Sequence, residues 1–542
     1  MGRQRRSVLL AAAALLGLTL LVYWPVRSAG FSAWDDRDQI RFNPDFNPPR
    51  LANLLAYARG PYRGSLYPLS YGYLGAVAWI DRSVRCVGED APLDPSVFHL
   101  ASVLLHAAAA MGTWLLLRRL NFGPAAALAG AALFAVHPMQ ADAVAWASGF
   151  NTVLSGGLVI AALWLYLPRD DAAGFVPALR LGAATLCYAA ALAAKPSAVV
   201  TPLLAAALEW AIAQPQRRRG RLVLLGAWLA LAAPVMLITR HVQGAGGVAP
   251  TPMWFRPVVA IDAIAFYVWH VAWPARLLVD YGRSPALLLA GGAWRFTWLI
   301  TAAFALLGAI ALRRRWSRAV PAGMAVFVLG VLPVLGLTPF NGQTISTVAD
   351  RFLYLSMLGA AMLVAWLWQA GGASAAVRAT IIAALLALAV RTNLRSRDWH
   401  DDATLFAVEL RGNPASLAAH EVLGDAAGLA GDNALAAWHY AAALRVNRVD
   451  ARIPFDLANA LLRSGHPADA IPYYRLAEAD QARNSAVEPL DARLFYNHGV
   501  ADVAVGDLID AGEEFTRARQ VDPRFQPAKT ALDRLERGAT RP

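Results

Sequence analysis

Residues 7–26 read SVLLAAAALLGLTLLVYWPV, an apolar run behind the basic stretch Met1–Arg6 and ahead of the acidic pair Asp35-Asp36. About twenty apolar residues match the hydrocarbon thickness of a bilayer, whereas a signal-peptide core is shorter. The small residues Ser28–Gly30 make a poor cleavage site. The run is therefore expected to be a retained anchor with a cytoplasmic N-terminus. Residues 31–40 (FSAWDDRDQI) then lie just outside the hydrocarbon. There a lipid-borne head group can meet a water-borne acceptor at Asp35 and Asp36. The competing reading is a solvated loop with a capping Asp and Trp34 as interfacial anchor.

The apolar character continues. Of 542 residues, 57% are hydrophobic and 16% charged, against about 25% charged in soluble domains. The fold class expected is all-α, a polytopic membrane part followed by a different tail. From Arg395 onward about 17 basic and 22 acidic residues leave a net charge near −5. With a chain total of +12, the membrane part carries about +17. Those positive charges fall in short loops, where they set topology rather than bind nucleic acid. The two cysteines, Cys86 and Cys187, make no disulfide framework or Cys-based metal site.

Residues 30–95 form a long outside loop. Within it, 51–58 and 69–80 read as short amphipathic helices lying on the membrane. Further spans are expected near 97–117, 124–141, 152–168, 177–194, 197–213 and 221–239. This keeps Arg118-Arg119 and Arg217-Arg218-Arg219 inside. Segment 256–276, with Asp262 and His270, would export Arg313-Arg314-Arg315 if it crossed. It is expected to lie on or dip into the outer face. Spans near 293–312, 319–338, 351–369 and 376–392 follow. The total is about eleven, with 1–394 as the membrane domain and 395–542 outside.

The tail repeats. Gly424, Gly431, Ala436, Tyr440 and Ala443 share their spacing with Gly499, Gly506, Ala511, Phe515 and Ala518. Gly465, Ala470, Tyr474 and Ala477 follow the same spacing. Small residues where two helices touch, with an aromatic one turn later, is the tetratricopeptide pattern. The last unit is displaced by an insertion around 482–489, and 402–414 resembles half of a degenerate first unit. Such units stack into an α-solenoid whose groove holds a peptide or partner protein.

Lysine occurs only at Lys195 and Lys529. Lys195-Pro196 sits at the expected outer end of two spans, where a compact ammonium suits a phosphate; a snorkelling lysine is the plainer reading. Asp350-Arg351 begins a span on the same face, where Arg351 either pairs with an acid or contacts a lipid phosphate. His137 and Asp142 flank the third span's outer end. A His137–Asp142 hydrogen bond is expected there; a divalent metal is the alternative, with no closed ligand set visible. His99 and His106 share a helix face and read as packed histidines. No phosphate-binding loop, dinucleotide fingerprint or hydrolase motif occurs, which disfavours direct use of ATP or nucleotide-sugars.

In order along the chain stand Trp34-Asp35-Asp36, Pro68-Leu69-Ser70, Phe98-His99-Leu100, Leu105-His106, His137-Pro138 with Ala143-Val144-Ala145-Trp146, Lys195-Pro196, Trp273-Pro274-Ala275 and Ala349-Asp350-Arg351-Phe352-Leu353-Tyr354. This succession, ahead of the terminal repeats, resembles the transmembrane and tetratricopeptide-repeat O-mannosyltransferases and their bacterial relatives, which are GT-C glycosyltransferases. The resemblance covers almost the whole chain. It implies transfer of a sugar, mannose first, from a polyprenyl-phosphate carrier to a Ser or Thr hydroxyl on the non-cytosolic face. It also implies that Asp35-Asp36 is the catalytic pair. Two departures stand out: Tyr67 where relatives carry Arg, and Asp142 where they carry Glu. Arg63 is the candidate replacement for the first.

On this reading Asp35 or Asp36 takes the acceptor proton, and Lys195, Arg351 and Arg63 hold the donor phosphate. His137, Asp142 and Asp350 support them. The donor lipid, a polyprenyl-phosphate sugar, is the one small molecule this reading needs; a divalent metal is the alternative, and nothing in the sequence indicates it. The setting expected is a bacterial inner membrane with the repeats in the periplasm. The rival readings are a non-catalytic repeat scaffold, a flippase of lipid-linked sugars, and a GT-C enzyme acting on lipid or polysaccharide.

Overall fold

In the computed structural model, helices form throughout and no strand occurs among the described residues, which are 2–62, 66–88, 91–168, 178–212, 218–243, 251–292, 294–314, 316–372, 374–446, 452–484 and 491–539. Contacts divide the chain into two units, 1–401 and 402–542. The helix Ala375–Asp398 runs through position 395, where composition alone changes.

Among the described residues of the first unit, five helices are long and apolar enough to cross a membrane: Pro95–Arg119, Ala147–Tyr166, Leu222–Val242, Trp294–Arg313 and Ala375–Asp398. Six shorter apolar helices accompany them: Arg6–Val22, Pro124–Val136, Ala178–Ala194, Pro196–Ile212, Ala319–Val334 and Met357–Ala370. Only 6% of the apolar window in Trp294–Arg313 is buried. An apolar surface so exposed needs lipid or another apolar partner to cover it. Elsewhere glycines let helices approach closely. A Cβ at Gly359 would strike the backbone of Gly323 and Phe327, and one at Gly130 the carbonyl of Ala361. Such contacts favour dispersion packing where lipid removes the hydrophobic drive.

Helices break where polar groups enter. The helix from Pro124 stops at Val136, short of residue 141, because Pro138 lacks an amide proton and biases His137 to extended backbone. Segment 256–276 contains one helix, Arg256–Ala272. Asp262 within it accepts a two-nitrogen contact from Arg283, at 2.5 and 3.2 Å, and the Thr297 hydroxyl at 2.7 Å.

Residues 31–62 and 66–88 make a packed lobe rather than an open loop. Its core holds Ile40, Phe46, Tyr57, Tyr71, Leu74 and Phe98. Tyr57 stacks on Tyr71 with centroids 4.4 Å apart, and its hydroxyl donates to Asp45 at 2.7 Å. Helices span Leu51–Ala56 and Pro68–Arg85. Leu51, Leu55, Trp79, Ile80 and Val84 are exposed while Leu74, Val77 and Ala78 are buried. The second helix is therefore two-faced, with apolar side chains outward; the first has no buried residue and touches the lobe's core through the partly buried Leu54.

In the second unit each helix packs on the next, from Asp402–Gly412 to Gln526–Ala539. Three helix pairs repeat their contacts. Gly431, Gly465 and Gly506 end the first helix of each pair at φ of 83°, 85° and 90°, a region that favours glycine. A Cβ at Gly424 would lie 2.7 Å from Tyr440, and one at Gly499 would lie 2.7 Å from Phe515. The Tyr440 hydroxyl donates to Asp425 at 2.7 Å, and Tyr474 donates to Asn459 at 2.8 Å. Each acceptor lies fifteen residues before its tyrosine. The position fifteen before Phe515 is Val500, which has no acceptor and needs none. The insertion expected at 482–489 falls mostly outside the described residues.

Candidate active site

One stretch, 142–152, contains Asp142 and touches three other sequence-predicted site residues, Asp36, Lys195 and Arg351. It begins as the short helix Ala141–Ala145, turns through Ala147–Gly149 and enters the helix Phe150–Tyr166. A Cβ at Gly149 would lie 2.9 Å from the Trp146 ring and 3.1 Å from two carbonyls, so the turn needs glycine there.

Its first contact is Asp142 with Arg351. The Asp142 Oδ2 accepts from the Arg351 backbone N–H at 3.2 Å and from its guanidinium at 3.1 Å. Arg351 also lies over the Trp146 ring, 5.3 Å from its centroid. The Asp142 side chain is wholly buried, and its Oδ1 has no hydrogen-bond partner. Breaking such a pair by removing one member typically costs about 3–5 kcal/mol.

The second contact is the backbone N–H of Ser148, which donates to Asp36 Oδ1 at 2.7 Å. The Ser32 N–H donates to Oδ2 at 3.0 Å. These bonds pin the first-loop lobe to the turn before Phe150. Asp36 is 1% exposed, and burial pushes its pKa up to about 7, against the pull of the Ser148 and Ser32 hydrogen bonds. The nearby Asp35 charge adds to the rise. Asp35 itself is only partly buried.

The third contact is Lys195. Its ammonium donates to Thr152 Oγ1 at 2.5 Å and reaches Asn151 Oδ1 at 3.4 Å. Lys195 joins the helix Ala178–Ala194 to the turn Pro196–Val200. Alongside, Ser70 of the lobe donates to the Ala194 carbonyl at 2.8 Å. Burial lowers the Lys195 pKa to about 7. The Arg351 charge lowers it further and Asp142 partly restores it. The charges of Arg351 and Asp142 thus both act on Lys195, and the three groups carry a net positive charge when Lys195 is protonated. A phosphate is the kind of ligand that relieves that excess.

The remaining candidates are placed as follows. Asp350 is buried and accepts the Tyr281 hydroxyl at 2.6 Å. Burial and the Asp142 charge push its pKa well above the carboxylate range. His137 does not bond Asp142, the contact expected from sequence. Its Nδ1 accepts the Met139 N–H at 3.2 Å, so Nε2 carries the proton to the Val271 carbonyl at 3.1 Å. Proline at 138 turns the chain so that the ring caps its own turn, and His137 has no nitrogen left for a metal. His99 and His106 are packed histidines, bonded to the Gly30 carbonyl and to the Tyr354 hydroxyl respectively. Arg63 lies outside the described residues.

Sequence reasoning missed Ser148, Asn151, Thr152 and Tyr281. The first three form a polar break, Ser148-Gly149-Phe150-Asn151-Thr152, between two apolar runs. That break was the available signal. Tyr281 had none, because its role depends on a turn of the chain that brings it to Asp350. No protein-family model and no curated protein matches the chain.

Proposed function

We propose that the chain is a membrane glycosyltransferase that moves a sugar, mannose first, from a polyprenyl-phosphate carrier to an acceptor hydroxyl. The observation that carries this reading is the 142–152 stretch, which gathers the acidic pair's Asp36, the Asp142–Arg351 pair and Lys195 at one place. Anion-binding cations and a candidate base are what a phosphate leaving group and a hydroxyl nucleophile require.

Asp35 is the base in this scheme. It is partly exposed, so an acceptor can reach it, while Asp36 is clasped by two N–H groups and positions it. Asp35 takes the hydroxyl proton as the acceptor oxygen bonds to the anomeric carbon. The bond from that carbon to the phosphate oxygen breaks, and the polyprenyl phosphate leaves with the electron pair. One displacement inverts the anomeric centre. Lys195 and Arg351 hold the charge gained by the phosphate, which needs no proton to leave. The lobe's two-faced helix Pro68–Arg85, with Trp79, Ile80 and Val84 outward, lies against the bilayer and keeps water from competing.

The eleven apolar helices are assigned as the spans, in a bacterial inner membrane with the N-terminus cytoplasmic. The repeated helix pairs are assigned as tetratricopeptide units in the periplasm. The contacts that support this are the small-residue and aromatic pairings at Gly424–Tyr440 and Gly499–Phe515. A tethered groove raises the effective concentration of a protein acceptor near the site.

The test is incubation of purified protein with radiolabelled polyprenyl-phosphate mannose and a periplasmic extract. The expected product is label on protein, in the anomeric configuration opposite to the donor's. Label in lipid or glycan keeps the chemistry and changes the acceptor. Retained configuration refutes the single displacement.

A further inference from the structure

The second unit holds a cluster that the proposed transfer reaction does not use, on three successive helices: Pro467–Asn484, Ala492–Val505 and Leu508–Val521. Glu478, His498 and Glu514 each offer one ligand atom, and these atoms lie within 4.8 Å of one another. The His498 Nδ1 is 2.6 Å from Glu478 Oε1 and 3.9 Å from Glu514 Oε2. His498 is 3% exposed and Glu514 is 8% exposed. The Glu514 Oε2 turned toward the imidazole has no hydrogen-bond partner.

The outer atoms of the cluster are held as a metal site requires. Arg517 donates to the other oxygen of each glutamate, Glu478 Oε2 at 2.9 Å and Glu514 Oε1 at 2.7 Å. Both carboxylates therefore keep their inner oxygens directed at the imidazole. On the far side of the ring, His498 Nε2 faces Asp502 Oδ2 at 3.8 Å, and neither atom has a hydrogen-bond partner. A carboxylate behind the second ring nitrogen fixes the tautomer of a metal-bound histidine. Three carboxylates, of Glu478, Glu514 and Asp502, thus surround one imidazole, with the Arg517 guanidinium on the outer oxygens of the two glutamates. A cation bound between the inner oxygens and the ring would meet that carboxylate excess. Tyr474 stacks on the ring, with centroids 5.5 Å apart, and limits its rotation.

We propose that Glu478, His498 and Glu514 bind a divalent transition-metal ion of the zinc class, with Asp502 and Arg517 orienting the ligands. One nitrogen and two carboxylate oxygens suit zinc, which takes such donors at about 2.0–2.2 Å. Tetrahedral donors at that range stand about 3.4 Å apart, so the 2.6 Å contact opens and the 3.9 Å contact closes by less than an ångström each. The fourth position is left for water or a partner's side chain. The ion ties three consecutive helices together and so stiffens the last repeated pair. This inference stands independently of the transferase reading.

The experiment uses the full-length chain in detergent, stripped with chelator and titrated with zinc, with elemental analysis and thermal unfolding as readouts. Wild type is expected to retain one zinc per chain more than Glu514→Gln, and its unfolding temperature to rise with zinc while the variant's does not. Cobalt substituted for zinc should show ligand-field absorption in wild type alone. Equal zinc content in wild type and Glu514→Gln overturns the proposal, as does absence of binding in wild type. Asp502→Asn keeps all three ligands and guards against misfolding of the first variant. It is expected to weaken zinc binding about 10–100-fold, and unchanged affinity overturns the role given to Asp502.

Discussion

Donor binding should depend on pH through Lys195. Its ammonium is buried, bonded to Thr152 and Asn151, and carries a pKa lowered to about 7 by burial and by Arg351. A polyprenyl-phosphate sugar is a phosphodiester with a fixed charge near neutrality, so the titration lies on the protein, at Lys195 and at Asp36, whose pKa burial also brings to about 7. If the donor binds only the charged ammonium, affinity follows the protonated fraction. For a pKa of about 7 that fraction is about 0.9 at pH 6 and about 0.1 at pH 8. Affinity should therefore fall about tenfold over that range, or about 1.4 kcal/mol. The sign is set by linkage: the bound state holds a proton that the free protein has begun to lose, so binding takes up protons and weakens as pH rises. Lys195→Arg keeps its charge at every pH and should make the dependence shallower, leaving only what Asp36 contributes, whatever it does to absolute affinity. Lys195→Met should bind weakly at both pH values. The assay is titration of nanodisc-embedded protein with a fluorescent polyprenyl-phosphate sugar at pH 6, 7 and 8. A flat wild-type profile, or the same slope in Lys195→Arg, refutes the assignment of Lys195 as a phosphate contact.

Other outcomes follow from the same geometry. Asp35→Asn should cut turnover by about 10²–10⁴ while leaving donor affinity within a few-fold, measured by single-turnover transfer and by the nanodisc titration. Asp142→Asn removes one member of a buried pair and should cost about 3–5 kcal/mol, read as a fall in thermal unfolding temperature of the membrane unit. Replacing Arg351 with Met in that background should restore part of the loss, since the unpaired charge goes with it. Gly499→Ala sets a Cβ 2.7 Å from the Phe515 ring and should destabilise the second unit by about 1–3 kcal/mol, read by denaturant unfolding. Gly512→Ala on the neighbouring helix meets nothing within 4 Å and serves as the control.

The helices of the first unit were legible because apolar length is a strong signal and is read locally. Where sequence placed a span at 124–141, Pro138 ended the helix at Val136, and hydropathy averages over such breaks. The repeat spacing in the tail was legible for a different reason: each register position has a steric duty, and small residues at 424 and 499 are what admit Tyr440 and Phe515. The site was half legible. Asp36, Lys195, Arg351 and Asp142 were all singled out by residue type and position. Their mutual arrangement was not, because it is built by the 142–152 stretch, whose backbone N–H at Ser148 carries no side-chain signature. Arg351 had two readings, an acid partner or a lipid phosphate; the structure pairs it with Asp142, and the phosphate contact is part of the proposed function beside that pair. The zinc-class cluster escaped because Glu478, His498 and Glu514 belong to three helices and have no metal-motif spacing.

In the proposed function this site transfers a sugar from a polyprenyl-phosphate lipid with Asp35 as base. The direct measurement is single-turnover transfer of label from a set of polyprenyl-phosphate sugars to acceptors in a periplasmic extract, comparing wild type with Asp35→Asn at matched donor occupancy. Transfer by wild type with at least one donor sugar, and loss of transfer by the variant, are the expected results. Failure of wild type with every donor, or equal transfer by the two proteins, contradicts it.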